Sequence, residues 1–353
     1  MADKTMHVLM FGARRAGKSS VLASMIGSFQ EVARDTGFLL KADANTSAFI
    51  DSKLIGLKDI FDEYWGQEQF TLDENPTLNP DTYTFTVSYR NKHRSREIAT
   101  MVFHDIPGEE LTSEETAERI RQSSILLVAV DTIHLMEENG KYSSVFHKPM
   151  PLKSAIENAG FTDETNKPSP KMVLFIPLKC EKYYVEGQMN EVARRVEREF
   201  RSLIEFLTKP AFQSRITVGI TPILTMGSLA FDSFGRDETG RVLRQKPAGR
   251  PQYVYYRFIG DKLFQPRYCE QPVLYILAFL VNSSKKVQER LRESPMRSAV
   301  PLALALPPIY LIAYLIGWML LRSKRFSEAY SRITSHLKKD ENGYKMLQNP
   351  LNL

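Results

Sequence analysis

From Met6 to Arg34 the chain reads "MHVLMFGARRAGKSSVLASMIGSFQEVAR", and no other stretch restricts its folding as tightly. The apolar run "HVLMFG" has the composition of a buried strand, and from Lys18 onward apolar residues recur at helical spacing. Between them, Gly12 to Ser19 fits the pattern G-x-x-x-x-G-K-[ST]. A glycine-rich turn between strand and helix points backbone N–H groups at phosphate, and the helix N-terminus adds its positive dipole end. Gly12, Ala13, Arg14, Arg15, Ala16, Gly17, Lys18, Ser19 and Ser20 are therefore the expected nucleotide contacts. Lys18 is expected to reach the β- and γ-phosphates, and Ser19 to ligate magnesium.

Further apolar runs read as buried parallel strands: Ile98 to Asp105, Ile125 to Asp131, Met172 to Lys179 and Ile216 to Leu224. Helical stretches separate most of them, including the charged amphipathic "MNEVARRVEREFRSLIEFL". Strands alternating with helices imply an α/β, Rossmann-like domain with a mainly parallel sheet covered on both faces. "DTYTFTVSYRN" alternates like an antiparallel partner for the Ile98 strand. An insertion at about 37–80 carries a helical pattern around "AFIDSKLIGLKDIFDEYW", and "GSLAF" and "YVYYRFIG" suggest a long-tipped hairpin at about 228–259. The domain is expected to span 1–282, closed by a helix beginning near Pro272.

At the end of the Ile98 strand stands "DIPG", Asp105 to Gly108. Ligands of open α/β sheets bind at the carboxyl ends of strands. There Asp105 would serve the metal and the N–H of Gly108 would meet a γ-phosphate. With these two motifs the chain, from about Met6 to Leu280, resembles the P-loop GTPases of the translation-factor-related class, which includes Ras-like, dynamin-like and septin-like proteins.

The resemblance implies further residues. The guanine-reading motif of that class, Asn/Thr-Lys-x-Asp, is best matched by "LKCE", Leu178 to Glu181. Lys179 would pack along the base and Glu181 accept from its edge, while Leu178 departs from the pattern and opens the alternative of an ATPase. Thr77, with Thr71 and Thr82 as rivals, would be the magnesium-binding switch threonine. Arg15 resembles the loop arginine of guanylate-binding proteins and atlastins, an internal finger acting when two GTPase heads meet, which implies a homodimer through the nucleotide face. Arg14 is expected to face solvent or a partner. Glu109, where Ras-like proteins carry a water-orienting glutamine, is a candidate catalytic residue or an exposed helix-start carboxylate.

Composition adds boundaries. A hydrophobic content of 43% supplies a core, and 47 Lys+Arg against 41 Asp+Glu leave a net charge of +6 that carries no call for nucleic acid. The 2 cysteines, Cys180 and Cys269, lack metal-site spacing. The amino terminus shows no secretory pattern, so the domain is expected in the cytoplasm. Ala299 to Leu321 contains no charged residue and exceeds the roughly 18 residues that mark a membrane candidate. Pro301, Pro307 and Pro308 leave two geometries open, a single kinked pass or a shallow hairpin with both ends cytosolic. A basic linker, 283–298, would precede this membrane segment and meet anionic lipids, and a polar tail, 322–353, would follow. The expected function is a membrane-anchored GTPase hydrolysing GTP with magnesium as a switch or assembly cycle, answering to an effector protein in a prokaryotic defence or signalling system. The alternatives are an ATPase of the same fold and a nucleotide-binding membrane scaffold with little turnover.

Overall fold

A computed structural model describes residues 5–14, 16–72, 81–91, 94–106, 110–162, 170–245, 249–293, 324–339 and 341–353. Strand β1, Thr5–Phe11, lies at the centre of an 8-stranded sheet. It pairs in parallel with β5, Arg94–Asp105, on one side and with β6, Ile125–Asp131, on the other. β7, Lys171–Leu178, and β8, Ile216–Ile220, continue in parallel beyond β6. On the other side β4, Asp81–Asn91, runs antiparallel to β5 as its alternation implied, and β2, Phe38–Ala42, closes that edge. The result is the α/β fold with a mainly parallel sheet.

Period-two alternation divides each central strand between two cores. Met6, Val8 and Met10 of β1 join one apolar cluster with Val21, Met25 and Phe29 of helix α1, Lys18–Thr36, and with Leu274 and Leu277 further along the chain. Leu9 and Phe11 point into a second cluster on the opposite face. Its cover is α3, Glu114–Gln122, with the amphipathic pair α8, Met189–Glu199, and α9, Arg201–Leu207. Every residue of β6 is buried, as expected of a strand covered on both faces.

Strand boundaries shift for local reasons. β7 stops before Lys179, whose backbone turns to φ 58, and β8 stops at Ile220, just before Pro222, which has no N–H to give the ladder. The insertion forms β2, the long helix α2, Ala44–Glu63, and the short strand β3, Phe70–Thr71. Asp43 caps α2 by accepting from the N–H of Thr46 at 2.8 Å, and these hydrogen bonds hold its carboxyl below the usual range. β3 joins the hairpin strands β9, Leu229–Phe234, and β10, Val254–Phe258, in a separate 3-stranded antiparallel sheet. The two insertions thus build one small layer with its own core of Phe61, Phe70, Phe231, Phe234 and Tyr256.

At the carboxyl end the helix expected to begin near Pro272 is α10, Gln271–Glu293. It runs on through residues 283–293. Residues 324–339 and 341–353 fold back onto the domain. After the short helices α4, Thr132–Met136, α5, Ser143–His147, α6, Pro149–Asn158, and α7, Glu181–Val185, the last helix, α11, Lys324–His336, packs on α10 and α1. β11, Lys345–Gln348, then adds itself antiparallel to the exposed edge of β8. Ile333 and Leu337 are buried in the main core, and Gln348 donates to the carbonyl of Ile216 at 2.7 Å. Apolar burial on one side of a short charged helix, together with an unpaired sheet edge, is enough to order this segment. Among the described residues no helix is long and apolar enough to cross a membrane, and the segment 299–321 lies outside them.

Candidate functional site

The turn between β1 and α1 folds over its own lysine. Lys18 Nζ donates to the carbonyls of Gly12 at 3.2 Å and Ala13 at 3.4 Å. Ala16 closes the turn by donating to Ala13 at 3.1 Å. Gly12 must be glycine because a Cβ there would stand 2.9 Å from the Cβ of Ala129 on β6. Gly17, at φ 96, turns the chain into α1 and caps it with no side chain, so the first N–H groups of the helix are left for a ligand.

β1 and β5 bring the second motif to the same place, and the N–H of Ile106 donates to the carbonyl of Met10 at 3.1 Å. Asp105, almost fully buried, accepts from Ser19 Oγ at 3.2 Å and lies 3.5 Å from Lys18 Nζ. A carboxylate beside a hydroxyl is a hard oxygen donor pair. It suits magnesium, which is commonly held by one or two protein oxygens together with substrate phosphates rather than by an all-protein cage. Ser19 and Asp105 therefore fit the ion.

The other end of the site is organised around Asp131, which is fully buried at the end of β6. Its carboxylate takes Lys179 Nζ at 2.8 Å and His134 Nδ1 at 2.8 Å. Burial alone would raise this carboxyl, but the neighbouring Lys179 and His134 outweigh it and hold it far below the usual carboxylate range. His134 stacks on Phe146, ring centres 3.9 Å apart, and Phe146 packs against Ala13 and Ala16 of the phosphate loop. The backbone N–H of Asp131 donates to His147 Nε2 at 2.9 Å, while His147 Nδ1 lies 3.0 Å from the carbonyl of Ser143. These partners require neutral imidazole protonated at Nδ1, and burial pulls its pKa down to about 4.

Glu181 is buried as well, and burial pushes its carboxyl up against the opposing effect of backbone donors and of Lys179. Its Oε1 accepts from the N–H of Met226 at 2.8 Å and of Gly227 at 3.2 Å, so one of its oxygens is already engaged by the loop after β8. Cys180 beside it is a buried thiol pushed upward by desolvation, which makes it no nucleophile.

One cavity of about 330 Å³ connects these features. Arg14, Ala16, Gly17, Lys18, Ser19, Ser20 and Asp105 line one end of it, at the turn between β1 and α1, and Lys179, Glu181 and Thr225 line another part. Arg14, expected among the nucleotide contacts and as a side chain facing solvent or a partner, borders the cavity. Leu57 and Ile60 of α2, with Leu229, Phe231 and Tyr256 of the small sheet, form an apolar wall that the motifs did not reveal. Gly12 and Ala13 lie behind the loop, against Val128, Ala129 and Phe146. Arg15, Thr77, Gly108 and Glu109 lie outside the described residues. The rival threonines are described: Thr71 sits in β3 and Thr82 in β4, where its hydroxyl is 3.4 Å from His104 Nδ1.

No protein-family model matches the chain. Elongation factor Ts of Methylobacterium sp. (strain 4-46) is 27% identical over 126 residues, which are 35% of this chain and 40% of that protein. Among solved structures, the S. cerevisiae Ski7 GTPase-like domain bound to GTP is similar at 12% identity and a TM-score of 0.36, over 64% of this chain and 43% of that one. Sup35 complexed with GDP is similar at 10% identity and a TM-score of 0.28, over 63% of this chain and 38% of that one. The chain thus spans less than half the length of each of these proteins, and the functional reading rests on the geometry of the site.

Proposed function

We propose that this chain is a magnesium-dependent nucleoside-triphosphate hydrolase that uses GTP. The observation that carries the reading is the convergence, in one cavity, of an uncapped helix N-terminus, Lys18 and the Ser19–Asp105 oxygen pair. Such an arrangement binds a triphosphate by its terminal phosphates. Lys18 binds the β- and γ-phosphates, and the N–H groups at the start of α1 orient them. Ser19 and Asp105 would hold magnesium, which when bound supplies positive charge to the phosphate oxygens. Gly108 is proposed to meet the γ-phosphate, Glu109 to orient water and Thr77 to complete the metal site, all on sequence grounds. Lys179 and Glu181 border the end where the base would lie. ATP is the second reading, favoured because Oε1 of Glu181 is engaged by Met226 and Gly227 and Leu178 stands where the guanine motif has a polar residue.

The run from Ala299 to Leu321 is proposed as a membrane segment for its lack of charge, with basic flanks suited to anionic lipid. Tyr330 of α11 donates to Asn282 Oδ1 of α10 at 2.6 Å, and Gln271 Nε2 donates to the carbonyl of His336 at 2.9 Å. Packing of both flanks into one body supports the geometry in which the two ends of the segment stay on the same side of the bilayer. Arg15 is proposed as an internal finger in a head-to-head homodimer. Turnover of GTP and ATP with magnesium, followed over a range of protein concentrations for wild type and Arg15→Ala, tests the reading. GTP preference with specific activity rising with concentration supports it, and absence of turnover of either nucleotide contradicts it.

A further inference from the structure

Helix α2 brings into the cavity a cation that no phosphate motif contains. The helix is fixed along its length: Asp43 caps it, Thr46 Oγ1 accepts from the N–H of Thr84 at 2.9 Å, and Ile50, Leu57 and Phe61 are buried. It lies along α1 closely enough that a Cβ on Gly27 would stand 3.4 Å from Leu54. The 3.6-residue period places Lys53, Leu57 and Ile60 on one face, and that face borders the cavity that also holds Lys18, Ser19 and Asp105. Leu57 and Ile60 suit an apolar wall, whereas Lys53 adds a basic side chain to the same lining.

The surroundings of the four cavity cations differ. Lys18 is engaged by the carbonyls of Gly12 and Ala13 and by Asp105, and Lys179 by Asp131. Arg14 belongs to the loop itself. Lys53 is half-buried, with its Nζ 5.8 Å from the ring centre of Phe49, and among the described residues no carboxylate stands within ion-pair distance of it. A lysine ammonium is a compact charge with three donors on a flexible stem, well suited to phosphate oxygens.

We propose that Lys53 binds the phosphate chain of the nucleotide as a second cation, supplied by the inserted helix and facing the phosphate loop across the cavity. This rests on the nucleotide reading above and adds to it a ligand contact from α2, so the insertion takes part in triphosphate recognition. No bond is made or broken by Lys53; its contribution is charge-assisted hydrogen bonding.

The test is calorimetric binding of GTP, inorganic tripolyphosphate and guanosine, each with magnesium, to the full chain and to Lys53→Ala, Lys53→Glu and Lys53→Arg, with melting temperatures recorded alongside. Loss of one charge-assisted contact should weaken GTP and tripolyphosphate by about tenfold in Lys53→Ala, more in Lys53→Glu, and leave guanosine unchanged. Lys53→Arg should restore most of the loss, and the half-exposed position should leave melting unaltered. Undiminished binding of GTP and tripolyphosphate in Lys53→Ala overturns the assignment, and so does an equal loss for guanosine, which would mean that Lys53 only shapes the wall. Wild-type protein that binds neither GTP nor tripolyphosphate defeats the nucleotide reading itself, and this inference with it.

Discussion

Ser19 Oγ and Asp105 Oδ2 lie 3.2 Å apart although 86 positions separate them in the chain. The pairing of β1 with β5 brings them together, and with Lys18 they gather a hydroxyl, a carboxylate and an ammonium at the end of the sheet. Asp105→Asn keeps the shape and removes the charge. The expected result is a loss of about tenfold or more in triphosphate affinity with magnesium and little change in its absence, read by titration with a fluorescent nucleotide.

Asp131, fully buried, and Lys179, whose side chain is 22% exposed, form an ion pair whose single substitutions should be costly. Lys179→Met leaves the Asp131 carboxylate in the interior with His134 as its remaining side-chain partner. Such a change costs about 3 kcal/mol, whereas a double variant that also carries Asp131→Leu should recover part of the loss. Chemical denaturation of the four members of the cycle measures the coupling, and strict additivity would contradict it.

His147 makes stability depend on pH. Its folded pKa is about 4 against an ordinary 6.5, so the unfolded chain takes up the proton first as pH falls. Stability should therefore be level above about pH 7 and decline below the unfolded pKa, by roughly 2 kcal/mol at about pH 5. His104, also lowered to about 4 by burial, His7 and Arg119, acts in the same direction. Denaturation curves for wild type and His147→Gln should show a shallower decline in the variant.

The packing of α10 against α11 predicts where the flanks of the apolar run reside. Cysteines introduced at Arg292 and Glu328, with the native thiols Cys180 and Cys269 buried, should both react with an impermeant maleimide from the face that bears the nucleotide domain. Labelling from opposite faces would require α11 to leave α10 and would establish a single pass.

The sequence disclosed those parts whose signal is local. Unbroken apolar runs marked β6 and β7, and the glycines and lysine of the loop marked the phosphate end. Where partners are distant, the signal was weak. The four residues of β11, "KMLQ", have no strand pattern of their own and are ordered by the open edge of β8. Tyr330, Ile333 and Leu337 do recur at helical spacing and mark one side of α11, a signal hidden by the charges around them. Asp131 read as a strand end, because nothing in the chain shows that Lys179 and His134 converge on it. Lys53 resembled any lysine on a solvated helix, and only the placement of α2 beside α1 brings it to the cavity.

The Lys18 loop and the Ser19–Asp105 pair are proposed to bind a magnesium triphosphate. Equilibrium binding of GTP by wild type, Lys18→Ala and Ser19→Ala, with magnesium and with a chelator, tests it most directly. Tight binding to wild type with magnesium is expected, with a loss of roughly a hundredfold in Lys18→Ala and magnesium dependence that disappears in Ser19→Ala. Equal binding to all three proteins with and without the ion would contradict it.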